Sequence, residues 1–156
     1  ISSPTLVMDA GAFREIGCYD QNLNYEDFDI LVRMSSKYSF VYGDHITVNK
    51  RILQESLSQQ QYRSKKSQLL PSTYLVCEKL ATMVTTKTEK KSLQQRLIHE
   101  IKHATASANF DVAQKMLTLY RKLFPFGLSY MFFYLWTKAK IDVSAMYEKW
   151  RLKHFK

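Results

Sequence analysis

The sequence predicts an α+β protein that is mostly α: short strands and helices over the first sixty residues, then a small helical bundle. Three observations lead there. Three of the four glycines, Gly11, Gly17 and Gly43, punctuate residues 1–60, separating short runs of differing periodicity. After Pro71 the apolar residues recur only at helical spacing. The charge also changes sign, with five Lys/Arg against eight Asp/Glu in residues 1–60 and eighteen against six in 61–156. The expected organisation is therefore 1–60, a linker at 61–70, and a helical extension at 71–156.

Along the chain, "SPTLVMD" (3–9) has the β-branched character of a strand, and "AGAFREIG" (10–17) reads as one short helix stopped by Gly17. "CYDQNLN" (18–24) is a polar loop, the segment "NLNYEDFDILVRMS" (22–35) is a helix behind Asn24, and "YSFVYGD" (38–44) is a second strand. Val76, Cys77, Leu80, Met83 and Val84 mark the next helix, and "TKTE" (86–89) has capping-box spacing ahead of another. Leu93, Leu97, Ile101, Ala104 and Ala108 form its stripe. Ala113, Met116, Leu117, Tyr120 and Phe124 form the following one, and Val143, Met146 and Trp150 define a last short helix.

With 46% apolar residues, 13% aromatics and few Gly or Pro, 156 residues suffice for an ordered core. Cys18 and Cys77 are far apart in packing positions, which fits a reducing compartment rather than a disulfide framework. The chain opens on Ile1 with no signal-like segment, and reads as a piece of something longer. The apolar stretch 123–136 is broken by Pro125 and Gly127 and is shorter than a bilayer crossing requires.

"HEIKH" (99–103) matches the zinc-protease pattern, in which two histidines hold the metal and the glutamate activates water. Helical geometry places His99 and His103 opposite the Leu97, Ile101, Ala104 stripe, and Lys102 adds a cation beside any metal. Two exposed histidines and no metal site are expected. The basic run "RSKK" (63–66) lacks interleaved aromatics, so nucleic acid is not an expected partner.

The acids opening the helix at 26 are more informative. Asn24 suits an N-cap, Asp27 the capping-box position, and first-turn acids favour the helix dipole by roughly 0.3–1 kcal/mol each. Yet Asp27 shares a stripe with Ile30, Leu31, Met34 and Tyr38, while Asp29 pairs at i+4 with Arg33 on the outer side and Glu26 lies at the margin. A carboxylate at the inward edge of a helix start must be paired, hydrated or used, and it suits a general base that deprotonates a hydroxyl.

Residues 1–60 resemble the distal part of the catalytic domain of family 2 inverting glycosyltransferases of the nucleotide-diphosphosugar (GT-A) type. The resemblance rests on the turn Gly17, Cys18, Tyr19, Asp20, the Glu26–Asp27 pair opening a helix that ends in Arg33, and the later Arg51. It implies that Asp27 is the catalytic base, that Glu26, Asp20 and Tyr19 contact the acceptor, and that Arg51 approaches the donor diphosphate. It further implies a nucleotide-sugar donor, a sugar or lipid-linked acceptor, and a divalent Mg or Mn ion held by an Asp-x-Asp motif of the nucleotide-binding half, which is expected ahead of residue 1. Cys18 replaces the turn's second Gly, implying that no glycine-only conformation is needed there. The expected role is cell-surface polysaccharide or glycolipid synthesis in a bacterium, at the cytoplasmic side and inactive without the donor-binding half. A helical interaction or membrane-docking module is the alternative. The aromatic cluster of 123–136 is expected to be buried within the bundle; Lys138 and Lys140 beside it would otherwise suit peripheral contact with an anionic membrane.

Overall fold

The computed structural model describes residues 3–49 and 60–154, and the chain divides into two compact units, Ile1–Ser56 and Leu57–Lys156. Among the described residues all regular structure is helical, which corrects the expected α+β class. The first predicted strand is a 3-10 turn at Ser3–Thr5 followed by irregular chain, and 38–44 is irregular. The reason is the backbone: a strand's N–H and C=O groups need a neighbouring ladder, and no described segment provides one. Val7 of the first run and Val41 and Tyr42 of the second stand in solvent, 98%, 95% and 85% exposed, while Met8 and Tyr38 turn to the core of the first unit.

In the first unit, α1 (Ala10–Glu15) begins at Asp9, whose Oδ1 accepts the Ala12 N–H at 2.8 Å. α2 (Glu26–Ser35) packs Ile30 and Met34, one turn apart, onto Ala12, with Met8, Phe13, Ile16 and Tyr38 around them. Its N-cap position is Tyr25, one residue later than the expected Asn24, and the Tyr25 side chain makes no capping bond. The dipole then rests on the three acids of the first turn, Glu26, Asp27 and Asp29.

Between the helices the chain turns through two left-handed residues, Gly17 (φ +92°) and Cys18 (φ +59°). Cys18 therefore occupies the conformation that a glycine takes without penalty, contrary to the sequence expectation; a side chain there costs about 1–2 kcal/mol. Cys18→Gly is expected to stabilise the first unit by about 0.5–1 kcal/mol, once the extra chain entropy of glycine is deducted, as slower hydrogen exchange of α1 and α2 amides.

The second unit contains α3 (Leu69–Met83), α4 (Lys87–Ala106), α5 (Phe110–Leu123), α6 (Leu128–Ala139) and α7 (Ser144–His154). Pro71 lies in the first turn of α3, where its missing N–H is not needed. Thr86 and Glu89 form the expected capping box of α4, with Glu89 Oε2 accepting the Thr86 N–H at 2.9 Å and Thr86 Oγ1 accepting the Glu89 N–H at 3.2 Å. α4 packs against α3, α5 and α6 through Leu93, Leu97, Ile101 and Ala104, which meet Leu70, Cys77, Ala113, Met116 and Leu117.

α4 ends in a Schellman turn: the Asn109 N–H bonds Ala104 O at 2.8 Å, the Ala108 N–H bonds Thr105 O at 3.0 Å, and Ala108 is left-handed. Asn109 then anchors the preceding segment, its Oδ1 accepting the Ser67 N–H at 3.1 Å and its Nδ2 donating to Arg63 O at 3.0 Å. With the Lys65 N–H on Ser107 O at 2.9 Å, these bonds hold residues 63–67 at the C-terminal end of α4. The helix is thereby covered on a second side, which matters for the polar residues it carries.

The aromatic cluster divides rather than being buried as a whole. Tyr130 and Thr137 of α6 face inward, with Tyr130 stacked between Tyr120 and Tyr134 (5.6 and 5.9 Å between ring centroids) and Thr137 Oγ1 3.1 Å from Thr105 Oγ1. Phe126, Leu128, Met131, Phe132 and Leu135 face outward. No helix of the described residues is long and apolar enough to cross a membrane.

Candidate functional site

The acids at the start of α2 have distinct fates. Asp29 is buried, not outward as its spacing suggested, and its carboxylate receives Arg33 through Nε at 2.8 Å and Nη2 at 2.7 Å. Arg33 is at the same time a clamp on the turn before α2: Nη1 donates to Ile16 O at 2.6 Å and Nη2 to Cys18 O at 2.7 Å. One guanidinium thus ties the left-handed turn to the helix, and Asp29 compensates its charge. Asp29 is therefore a positioning group.

Asp27 is half-buried on the first turn, with its Oδ1 2.8 Å from the Phe28 N–H, and Glu26 beside it is exposed. Its neighbours on the predicted stripe, Ile30 and Met34, are buried as expected, so Asp27 marks the point where that stripe reaches the surface. Asp20 accepts the Asn22 N–H at 3.0 Å and Asn22 Nδ2 at 3.2 Å on one oxygen, Oδ1, which shapes the loop and brings the Leu23 N–H to Asp20 O at 3.2 Å. Tyr19, 44% exposed as a residue, lies edge-on to Phe13 at 5.1 Å between ring centroids. Asp20 and Tyr19 thus sit on the turn that Arg33 fixes, while Asp27 and Glu26 sit on the helix carrying Arg33. Arg51 lies outside the described residues.

No family model matches the chain, and no curated protein or solved structure matches it.

A second concentration of polar chemistry lies on α4, where sequence spacing pointed to two exposed histidines. His99 is exposed, but His103 is buried and Glu100 is fully buried. The Glu100 carboxylate receives Arg96 at 2.8 Å and the Tyr62 hydroxyl at 3.2 and 3.3 Å. His103 Nδ1 lies 2.6 Å from the Tyr147 hydroxyl of α7, while Tyr62 stacks on its ring at 4.6 Å. Coverage of α4 by the 60–67 segment and α7 explains the difference: a single apolar stripe shows only one of the two buried faces. Among the described residues no group of three or more His, Cys, Asp or Glu could hold a metal ion. Glu100, which would activate water in the protease pattern, is instead turned to a guanidinium and a phenol.

Burial pushes the His103 imidazole down from 6.5 to about 4, helped by the charges of His99, Lys102, Arg151 and Arg96. Burial pushes the Glu100 carboxyl up, opposed by Arg96 and the Tyr62 hydroxyl. Between pH 6.5 and 4 the unfolded chain binds a proton at position 103 that the folded chain does not, so the His103 contribution destabilises unit 2 as pH falls through that window and is level above it. Glu100 contributes in the opposite direction, because its carboxyl holds a proton longer in the folded state. His103→Gln is accordingly expected to flatten the acid-side loss of stability, measured as urea midpoints by tryptophan fluorescence; Trp136 and Trp150 both report on the second unit.

Proposed function

We propose that this chain is the acceptor-side and C-terminal portion of an inverting sugar transferase that moves a sugar from a nucleotide-sugar to an acceptor hydroxyl. Asp27 is the base. Its carboxylate takes the acceptor proton, the acceptor oxygen bonds the anomeric carbon from the face opposite the phosphate, and the carbon–oxygen bond to the nucleoside diphosphate breaks. Glu26 offers a second carboxylate to acceptor hydroxyls, and Tyr19 an apolar ring face for the sugar. Asp20 holds the loop that carries Tyr19, and Arg51 meets the departing diphosphate. The product belongs to cell-surface polysaccharide or glycolipid synthesis, on the cytoplasmic side.

The observation carrying this reading is the division of labour among the acids of α2. Asp29 is buried and committed to Arg33, whereas Asp27 reaches the surface beside Glu26 and near the clamped turn in sequence. A base needs a rigid helix beneath it, and Asp27 stands on the first turn of a helix held by the buried Ile30 and Met34. The bare side chains of Val7, Val41 and Ile46 fit a lobe that works joined to a further segment.

The test is the reading frame that contains this chain and the activity of the polypeptide it encodes. An upstream segment with Asp-x-Asp after a strand, and release of nucleoside diphosphate from a panel of nucleotide-sugars, are expected. A frame without such a segment contradicts the reading. A helical docking module with a purely structural acidic turn is the second reading, favoured by the bare apolar side of α6.

A further inference from the structure

We infer that α6 is an interfacial helix that docks the chain on an anionic lipid surface. This deepens the docking reading by naming the partner, and it holds whether or not Asp27 acts as a base. Leu128, Met131, Phe132 and Leu135 follow i, i+3, i+4, i+7 spacing and are 93%, 46%, 58% and 59% exposed, so one whole face of the helix is apolar and uncovered. Phe126, 59% exposed, extends that face just ahead of the helix. The opposite side is already committed to the bundle through Tyr130 and Thr137, which fixes the orientation of the bare side. At 12 residues, about 18 Å, α6 is too short to span a bilayer and suited to lying in its interface.

Charge identifies the occupant. Residues 112–141 contain five Lys/Arg and no Asp or Glu. Arg121 lies over the Phe126 ring at 3.9 Å at the entry to the apolar face, and Lys138 and Lys140 stand exposed at its exit. The nearest following acid, Asp142, is bound by Lys65 at 2.7 Å. An open groove of about 560 Å³ beside the start of α6 adds Lys102 and His99 from α4, with Ser129 from α6 itself. An apolar strip with cations at both ends and no anion matches the acyl–headgroup boundary of an anionic bilayer, where each Lys or Arg adds about fivefold to partition. A second copy of the same strip would bring those cations against one another.

Flotation of the full chain with phosphatidylcholine vesicles, with and without phosphatidylglycerol, tests this directly. The chain is expected to float with the anionic vesicles at least about tenfold better than with the neutral ones, and to be released by salt. Phe132→Ser with Leu135→Ser is expected to lower that partition about tenfold or more, with helical content unchanged because both side chains are exposed. Lys138→Gln with Lys140→Gln is expected to weaken binding to the anionic vesicles only. The inference is overturned by absence of flotation, by equal binding to both vesicles, or by serine variants that float like the parent. It is equally overturned by self-association in sedimentation that the serine variants abolish, which would make a second copy the occupant.

Discussion

On the proposed function, Asp27→Asn, made in the full polypeptide encoded by the reading frame, is expected to lower sugar transfer about 10²–10⁴-fold, the range that a positioned general base contributes. The amide keeps the shape of the side chain and removes its ability to accept a proton. Its structural cost is small, because a half-exposed first-turn acid is worth roughly 0.3–1 kcal/mol to the helix. Asp29→Asn serves as the internal contrast. There the substituted group is buried and holds Arg33, which in turn holds Ile16 O and Cys18 O. It is expected to cost about 2–3 kcal/mol of stability, with activity falling only as the turn loosens. Near-normal turnover in Asp27→Asn would refute the base; loss of folding in the same variant would mean the acid is structural.

Glu100→Ala is expected to destabilise the second unit by about 3 kcal/mol. It removes a fully buried carboxylate that accepts the Tyr62 hydroxyl and pairs with Arg96. The value falls at the low end of about 3–5 kcal/mol for broken buried pairs because the Arg96 side chain is 33% exposed and can turn to water. Replacing the whole set at once, Glu100→Met with Arg96→Met and Tyr62→Phe, is expected to recover most of the loss, since the three polar groups that meet at Glu100 are then removed together. Urea unfolding followed by tryptophan fluorescence reads both. Equal damage in the single and triple variants would show that shape rather than charge pairing holds this part of the core.

Helix periodicity was readable wherever a stripe faced one neighbour. Ile30 and Met34 were placed in the core by spacing alone, as were Leu93, Leu97, Ile101 and Ala104, and the Thr86–Glu89 box was visible as a motif. What failed depended on distant chain. The runs at 3–9 and 38–44 have strand composition, but composition cannot supply the neighbouring strand on which a ladder depends. His103 was misplaced because its covering residues, Tyr62 and Tyr147, lie 41 and 44 positions away in sequence. Glu100 did carry a signal: it lies seven positions after Leu93 and four before Ala104, on the apolar stripe itself. In the first unit the Asp29–Arg33 pair was legible from i+4 spacing, yet its burial was not, because the carbonyls that Arg33 binds belong to a turn with no side-chain signature.

The most direct measurement of the proposed chemistry is the anomeric configuration of the bond formed when the full polypeptide is supplied with an α-configured nucleotide-sugar and its acceptor. A single displacement assisted by the Asp27 carboxylate predicts a β-linked product by proton NMR, formed by the parent and not by Asp27→Asn. A retained α-linkage, or β-product accumulating at an undiminished rate in the variant, would contradict it.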